Sequence, residues 1–104
     1  MKISLAQLLD RLPLPATEQW PDGVFAAEAI SHGTMSLEVF APRGTDHQRP
    51  HLQDELYIVV SGRAAFWREG QTDDVAAGDA LFVRAGQDHR FTDMSDDFVT
   101  WVIF

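Results

Sequence analysis

His47, His51 and Glu55 fall four residues apart in Asp-His-Gln-Arg-Pro-His-Leu-Gln-Asp-Glu, immediately before the apolar run Leu-Tyr-Ile-Val-Val-Ser that closes on Gly62. Neutral imidazole nitrogens with a carboxylate oxygen suit one divalent transition metal, Fe, Mn, Ni or Zn, rather than Ca or Mg, which prefer oxygen ligands. On a helix this spacing would stack all three side chains on one face, but Gly44 and Pro50 argue against a helix here. In an extended chain, residues four apart lie about 13 Å from one another, too far to share an ion whose ligands sit about 2.1 Å away. The segment therefore has to bend, and Leu52-Gln53-Asp54 is the place for it. A further ligand has to come from elsewhere, and His89 in Gln-Asp-His-Arg-Phe is the best candidate.

The elements that must position these side chains read as short strands. Val24–Ile30 and Met35–Phe40 flank Ser31-His32-Gly33-Thr34, and Leu56–Val60 and Ala64–Arg68 flank Ser61-Gly62-Arg63, which predicts two hairpins. Val75–Ala77 is brief, Ala80–Val83 ends at Ala85-Gly86, His89–Phe91 begins another strand, and Phe98–Phe104 is the last. About eight strands separated by Gly, Pro and Asp turns, with no long helices between them, predict an all-β antiparallel sandwich or barrel. The N-terminus differs: Ser4 can cap a short helix with Leu5, Leu8, Leu9 and Leu12 on one face, ended by Pro13 and Pro15. Residues 1–16 are thus expected as a helical arm covering an open end or edge, and residues 17–104 as a single barrel domain.

Composition narrows the functions open to such a domain. At 104 residues the chain holds one core. A net charge of -8 would repel a phosphate backbone or an anionic membrane surface, so nucleic acid and membrane are not expected partners. The absence of cysteine excludes disulfides, thiolate metal sites and a cysteine nucleophile. The first residues lack the pattern of a signal peptide, and no apolar stretch approaches the roughly 20 residues of a membrane span. A soluble, cytoplasmic protein is expected.

His51, three residues, Glu55, six residues and Gly62, followed by Gly78, Gly86 and His89, resemble the two motifs of the cupins, with the likeness running from Gly44 to Asp93. Three positions depart from the family pattern: Arg49 stands at the first motif histidine, Arg84 at the proline and Asp93 at the final asparagine. Arg49 cannot be a ligand. The resemblance implies a double-stranded β-helix or jelly-roll barrel, in which His51, Glu55 and His89 point inward and share one divalent transition metal. His47, on the same strand parity as Arg49, could replace the missing imidazole if its loop folds back, and Gln48 and Gln53 are weaker oxygen donors. The family also implies a small-molecule ligand or substrate and a homodimer, with the N-terminal arm or Val24–Ile30 as contact. Dioxygenase, isomerase and lyase chemistry are all within its range, with Glu55 or Tyr57 moving a proton. The competing reading is a non-catalytic ligand-binding or sensor module, or a dimerisation unit, and the lost histidine favours binding over turnover. Fold and ligands together leave the reaction unspecified.

Other residues carry plainer expectations. His32 reads as a solvated turn residue. Tyr57, Trp67, Phe82, Phe91 and Trp101 read as core aromatics, and Val99, Trp101 and Ile103 as an apolar interior wall suited to a ligand with apolar parts. Asp73-Asp74 and Asp96-Asp97 read as solvated turns.

Overall fold

The computed structural model describes all 104 residues. One short helix, α1 (Leu5–Leu9), precedes eight strands: β1 (Ala26–His32), β2 (Met35–Phe40), β3 (Glu55–Ser61), β4 (Arg63–Arg68), β5 (Gln71–Ala76), β6 (Ala80–Val83), β7 (His89–Thr92) and β8 (Val99–Ile103). They form a five-stranded sheet in the order β1-β2-β8-β3-β6 and a three-stranded sheet in the order β5-β4-β7. Every pairing is antiparallel. The fold is an all-β antiparallel jelly-roll whose two sheets do not close into a continuous barrel.

Period-two alternation decides which side chains meet between the sheets. In β3, Glu55, Tyr57 and Val59 are buried, while Leu56, Ile58 and Val60 face the other way and are half-buried. In β7, His89 and Phe91 are buried and Arg90 and Thr92 exposed. Tyr57, Phe66, Val83, Phe91, Phe98 and Val102 converge on one core. Phe91 is its hub, with ring centroids 4.8 Å from Phe66, 4.9 Å from Phe98 and 5.1 Å from Tyr57. Burying each such side chain is worth about 1.5–3 kcal/mol, and together they set the separation at which residues of the two sheets meet.

A smaller cluster lies on the outer face of the five-stranded sheet. The Ser4 Oγ accepts from the Gln7 N–H at 3.3 Å and starts α1 as expected. Leu8 then packs on Ala27, Val39 and Val99, with Trp101 against the same cluster. The arm thus covers a sheet face, not an end or edge.

This arrangement corrects several expectations. Trp101 and Val99 line the layer under α1, and the interior wall is the opposite face of β8, where Thr100 and Val102 are buried. β3 and β4 are not a hairpin, because β3 pairs with β6 and β8 and β4 with β5 and β7. The chain crosses between sheets at Gly62. Asp73 and Asp74 lie in β5 and not in a turn, exposed on an edge strand where carboxylates discourage further pairing. Phe82, on the outer face of the edge strand β6, is 56% exposed and lies outside the core. Trp67 is half-buried under the Arg90 guanidinium, 4.9 Å from its ring centroid. β1 begins two residues later than expected, because Val24 pairs instead with Leu14.

Candidate metal centre

Three of the four proposed ligands come together. Glu55 opens β3 and His89 opens β7 on the opposing sheet, while His51 lies in the loop that leads to β3. Their ligand atoms all lie within 4.8 Å of one another. The Glu55 Oε1 is 3.3 Å from the Nε2 of both His51 and His89. Two ligands about 2.1 Å from a shared ion at tetrahedral or octahedral angles stand roughly 3.0–3.4 Å apart, so these two separations fit one ion.

The loop is bent as its spacing demands, and the second motif does the bending. The Gly86 N–H donates to the His51 carbonyl at 2.7 Å, and the Ala85 N–H donates to Asp54 Oδ1 at 2.8 Å. The turn before His89 thereby fixes the segment that carries His51. The His51 ring rests 5.4 Å from Phe104 and 5.6 Å from His89, centroid to centroid.

Hydrogen bonds around the triad prepare it for a cation. The His89 Nδ1 lies 2.8 Å from the Gln87 carbonyl, and donation there leaves Nε2 as a free lone pair toward Glu55. The Tyr57 hydroxyl is 2.9 Å from both Glu55 Oε2 and Gln48 Oε1, and 3.1 Å from His89 Nε2. Burial, then the Glu55 charge, pushes the Tyr57 phenol well above its usual value. It therefore keeps its proton at neutral pH and acts as a donor. Burial alone would lower the His89 imidazole, but contact with Glu55, the Gln87 carbonyl and the charges of Glu55 and Asp46 together raise it. A pocket that favours a proton on that ring also favours a metal cation beside it.

The fit to a metal rests on one atom. Glu55 is only 2% exposed, and its Oε1 is fully buried without a hydrogen-bond partner. Leaving a buried carboxylate oxygen unpaired costs about 1–3 kcal/mol or more, a penalty that a cation shared with the two imidazoles removes.

His47 is not brought to this group. Its loop carries no regular strand, so parity with Arg49 does not aim the side chain inward. The ring instead packs edge-on against Trp20, with centroids 5.7 Å apart, and its carbonyl accepts from Gln19 Nε2. Arg49 and Gln53 are exposed, and so is His32, within β1. Gln48 does reach the site, through Tyr57.

Two carboxylates escaped the sequence reading. Asp46 is 6% exposed and ties the loop to the opposing sheet, accepting from the Phe91 N–H at 2.8 Å, the Gln48 N–H at 3.0 Å and Gln48 Nε2. Nothing in its spacing marks it. Glu38 lines a cavity of about 290 Å³ together with Trp20, Phe40, His51, Glu55 and Tyr57. Alternation with Phe40, two residues on, could have revealed its inward direction.

Burial, then the charges of Glu28 and Glu55, raises the Glu38 carboxyl above its ordinary value. A carboxyl raised by folding contributes stability below its unfolded pKa and loses it as pH rises through the folded one. Glu38→Gln should therefore melt above the wild type at pH 7, with the gain vanishing below about pH 4. Thermal unfolding followed across that range checks the sign.

A family profile of the cupin domain matches residues 36–104, and the chain belongs to the cupin family. An uncharacterised protein of Streptomyces coelicolor is 48% identical over 85 residues, covering 80% of each chain. A cupin 2 conserved barrel domain protein from Salinispora arenicola matches with a TM-score of 0.66 at 24% identity, over 99% of this chain and 87% of that one. The DMSP lyase DddQ from Ruegeria pomeroyi has the same fold, with a TM-score of 0.63 at 22% identity over 75% of this chain and 44% of its own.

Proposed function

We propose that this protein is a mononuclear metal-binding cupin that takes a small organic molecule in the cavity beside the triad, with His51, Glu55 and His89 as ligands. The orphaned Glu55 Oε1 between two imidazole nitrogens carries the reading. A divalent ion with open positions polarises a bound oxygen as a Lewis acid or lowers the pKa of bound water. The protein's own part is to hold and orient. Tyr57 gives its single proton to Glu55 Oε2, so that Oε1 faces the imidazoles, and Gln48 Oε1 stands as the alternative acceptor for that proton. Phe40, Val102 and Phe104 keep the cavity wall apolar and limit water.

Elemental analysis of the purified protein tests the assignment. A transition metal that remains in the wild type and in His47→Ala, but is lost from His51→Ala and His89→Ala, is the expected result. A protein that neither retains nor takes up metal overturns it. Tyr57→Phe should cost about 1–3 kcal/mol of stability and weaken metal binding about 10- to 100-fold, read by thermal melting and metal titration.

A binding or sensor role without turnover is the second reading, favoured by the exposed Arg49 at the place of a family ligand. Product assays on the metal-loaded protein separate the two. A homodimer in the cytoplasm belongs to the same proposal. Phe82, 56% exposed, together with half-buried Leu56 and Ile58 on the outer sheet face, supports a contact there. Phe82→Glu should shift the sedimentation coefficient to that of a monomer.

No helix is long and apolar enough to cross a membrane.

A further inference from the structure

Glu38 shares the cavity with Glu55 and has no counter-charge. It takes part in none of the close contacts between carboxylates and basic side chains, which bring the His51 and His89 rings to Glu55 and Arg90 to Asp88. No lysine or arginine lines the cavity, and its one imidazole, His51, already faces Glu55. Glu28 stands directly opposite Glu38 across β1 and β2, and like charges so placed on one sheet face repel. The fold thus directs one uncompensated carboxylate, Glu38, to a cavity that also holds the orphaned Glu55 Oε1, while Glu28 lies exposed on the neighbouring strand. Four aromatic side chains, Trp20, Phe25, Phe40 and Phe104, line the same cavity, with Val24, Ala26 and Val102 adding to its apolar wall.

A carboxylate set among aromatic rings, with no protein cation to answer it, is the environment that recognises an alkylammonium group. An anionic head would meet the Glu38 carboxylate directly. A volume of about 290 Å³ limits the occupant to a small molecule.

We propose that the cavity selects a small organic cation, with its ammonium group between Glu38 and the aromatic wall and an oxygen donor toward the His51–Glu55–His89 centre. The oxygen end rests on the metal reading given above, whereas the ammonium end rests on Glu38 alone. Burial and the neighbouring carboxylates raise the Glu38 carboxyl, and a cation at that place counters the effect of those neighbours.

Two probes differing only in charge decide it. Trimethylglycine and 3,3-dimethylbutanoate carry the same carboxylate, but one ends in a trimethylammonium and the other in a tert-butyl group. Calorimetric titration of the metal-loaded protein should show at least a tenfold preference for the cation, and Glu38→Gln should erase it without changing metal content. Equal affinities overturn the proposal, as does a preference that survives in Glu38→Gln. Tetramethylammonium has no oxygen donor and reads the ammonium end by itself. Should the protein take up no metal, the metal reading fails, and tetramethylammonium then decides this one. Binding that Glu38→Gln abolishes upholds the proposal, and no binding overturns it.

Discussion

Gly62→Ala is expected to lower the melting temperature by more than about 10 °C. Gly62 has φ +72°, a left-handed conformation that L side chains rarely adopt. An added Cβ would also stand 2.5 Å from Ser95 Oγ and 2.7 Å from both Cα and N of Phe98. Ser95 cannot simply rotate away without loss, since its hydroxyl accepts from the Arg63 N–H and donates to Asp97 Oδ1. The Phe98 backbone is held still more firmly. Its N–H donates to the Ser95 carbonyl, its carbonyl accepts from Arg43 Nη1, and its side chain is 0% exposed. Conformational strain and overpacking each cost about 1–3 kcal/mol, and here they act together. Gly70→Ala is the control, because Gly70 has φ +85° with nothing within 4 Å. It should lose about 1 kcal/mol. Melting of Gly62→Ala within a few degrees of Gly70→Ala would show that the corner between the sheets is not packed as described.

That corner also shows where the sequence stops informing. The strands were legible because alternation and turn residues are local signals, and seven emerge within two residues of where they were expected, whereas β5 begins four residues before the expected Val75. Sheet membership was not, since it depends on partners far along the chain: β8 lies between β2 and β3, and nothing near Ser61-Gly62-Arg63 distinguishes a hairpin from a crossing. The face of β8 was misjudged for a related reason. Alternation separates Val99, Trp101 and Ile103 from Thr100 and Val102, but α1 makes the outer layer apolar too, so hydrophobicity alone does not say which side is inward. At the centre, His51, Glu55 and His89 were legible through their motif spacing. His47 was a candidate only if its loop folded back, and the strand parity it shares with Arg49 means little in a loop shaped by Asp46 and its bonds to Phe91 and Gln48. Glu38 went unnoticed because a charged residue in a half-exposed strand ordinarily faces water.

Glu55→Gln should leave the metal-free protein at least as stable as the wild type and remove most of its stabilisation by metal. In the metal-free wild type the Glu55 carboxylate is buried with one oxygen held by Tyr57 and the other unpartnered. The amide is nearly isosteric. Its carbonyl oxygen can still accept from Tyr57, and its NH2 group takes the place of the orphaned oxygen, 3.3 Å from the Nε2 atoms of His51 and His89. With His89 Nδ1 engaged by the Gln87 carbonyl, the His89 Nε2 is free to accept that proton. The substitution thus removes an unpaired buried charge and adds a hydrogen bond, so metal-free stability should hold or rise. Binding should weaken sharply, since the amide NH2 offers no lone pair to an ion, and a rotated amide presents only a neutral carbonyl oxygen in place of the carboxylate charge. At a metal concentration a hundredfold above Kd, the wild type should gain about 2.7 kcal/mol, roughly 10–20 °C for a domain of this size. Melting curves of both proteins, after chelation and after metal addition, give the four values needed. An equal metal-induced rise in Glu55→Gln would place the ion elsewhere, and a marked fall in its metal-free melting temperature would mean that the Glu55 charge is compensated in a way the orphaned oxygen does not reveal.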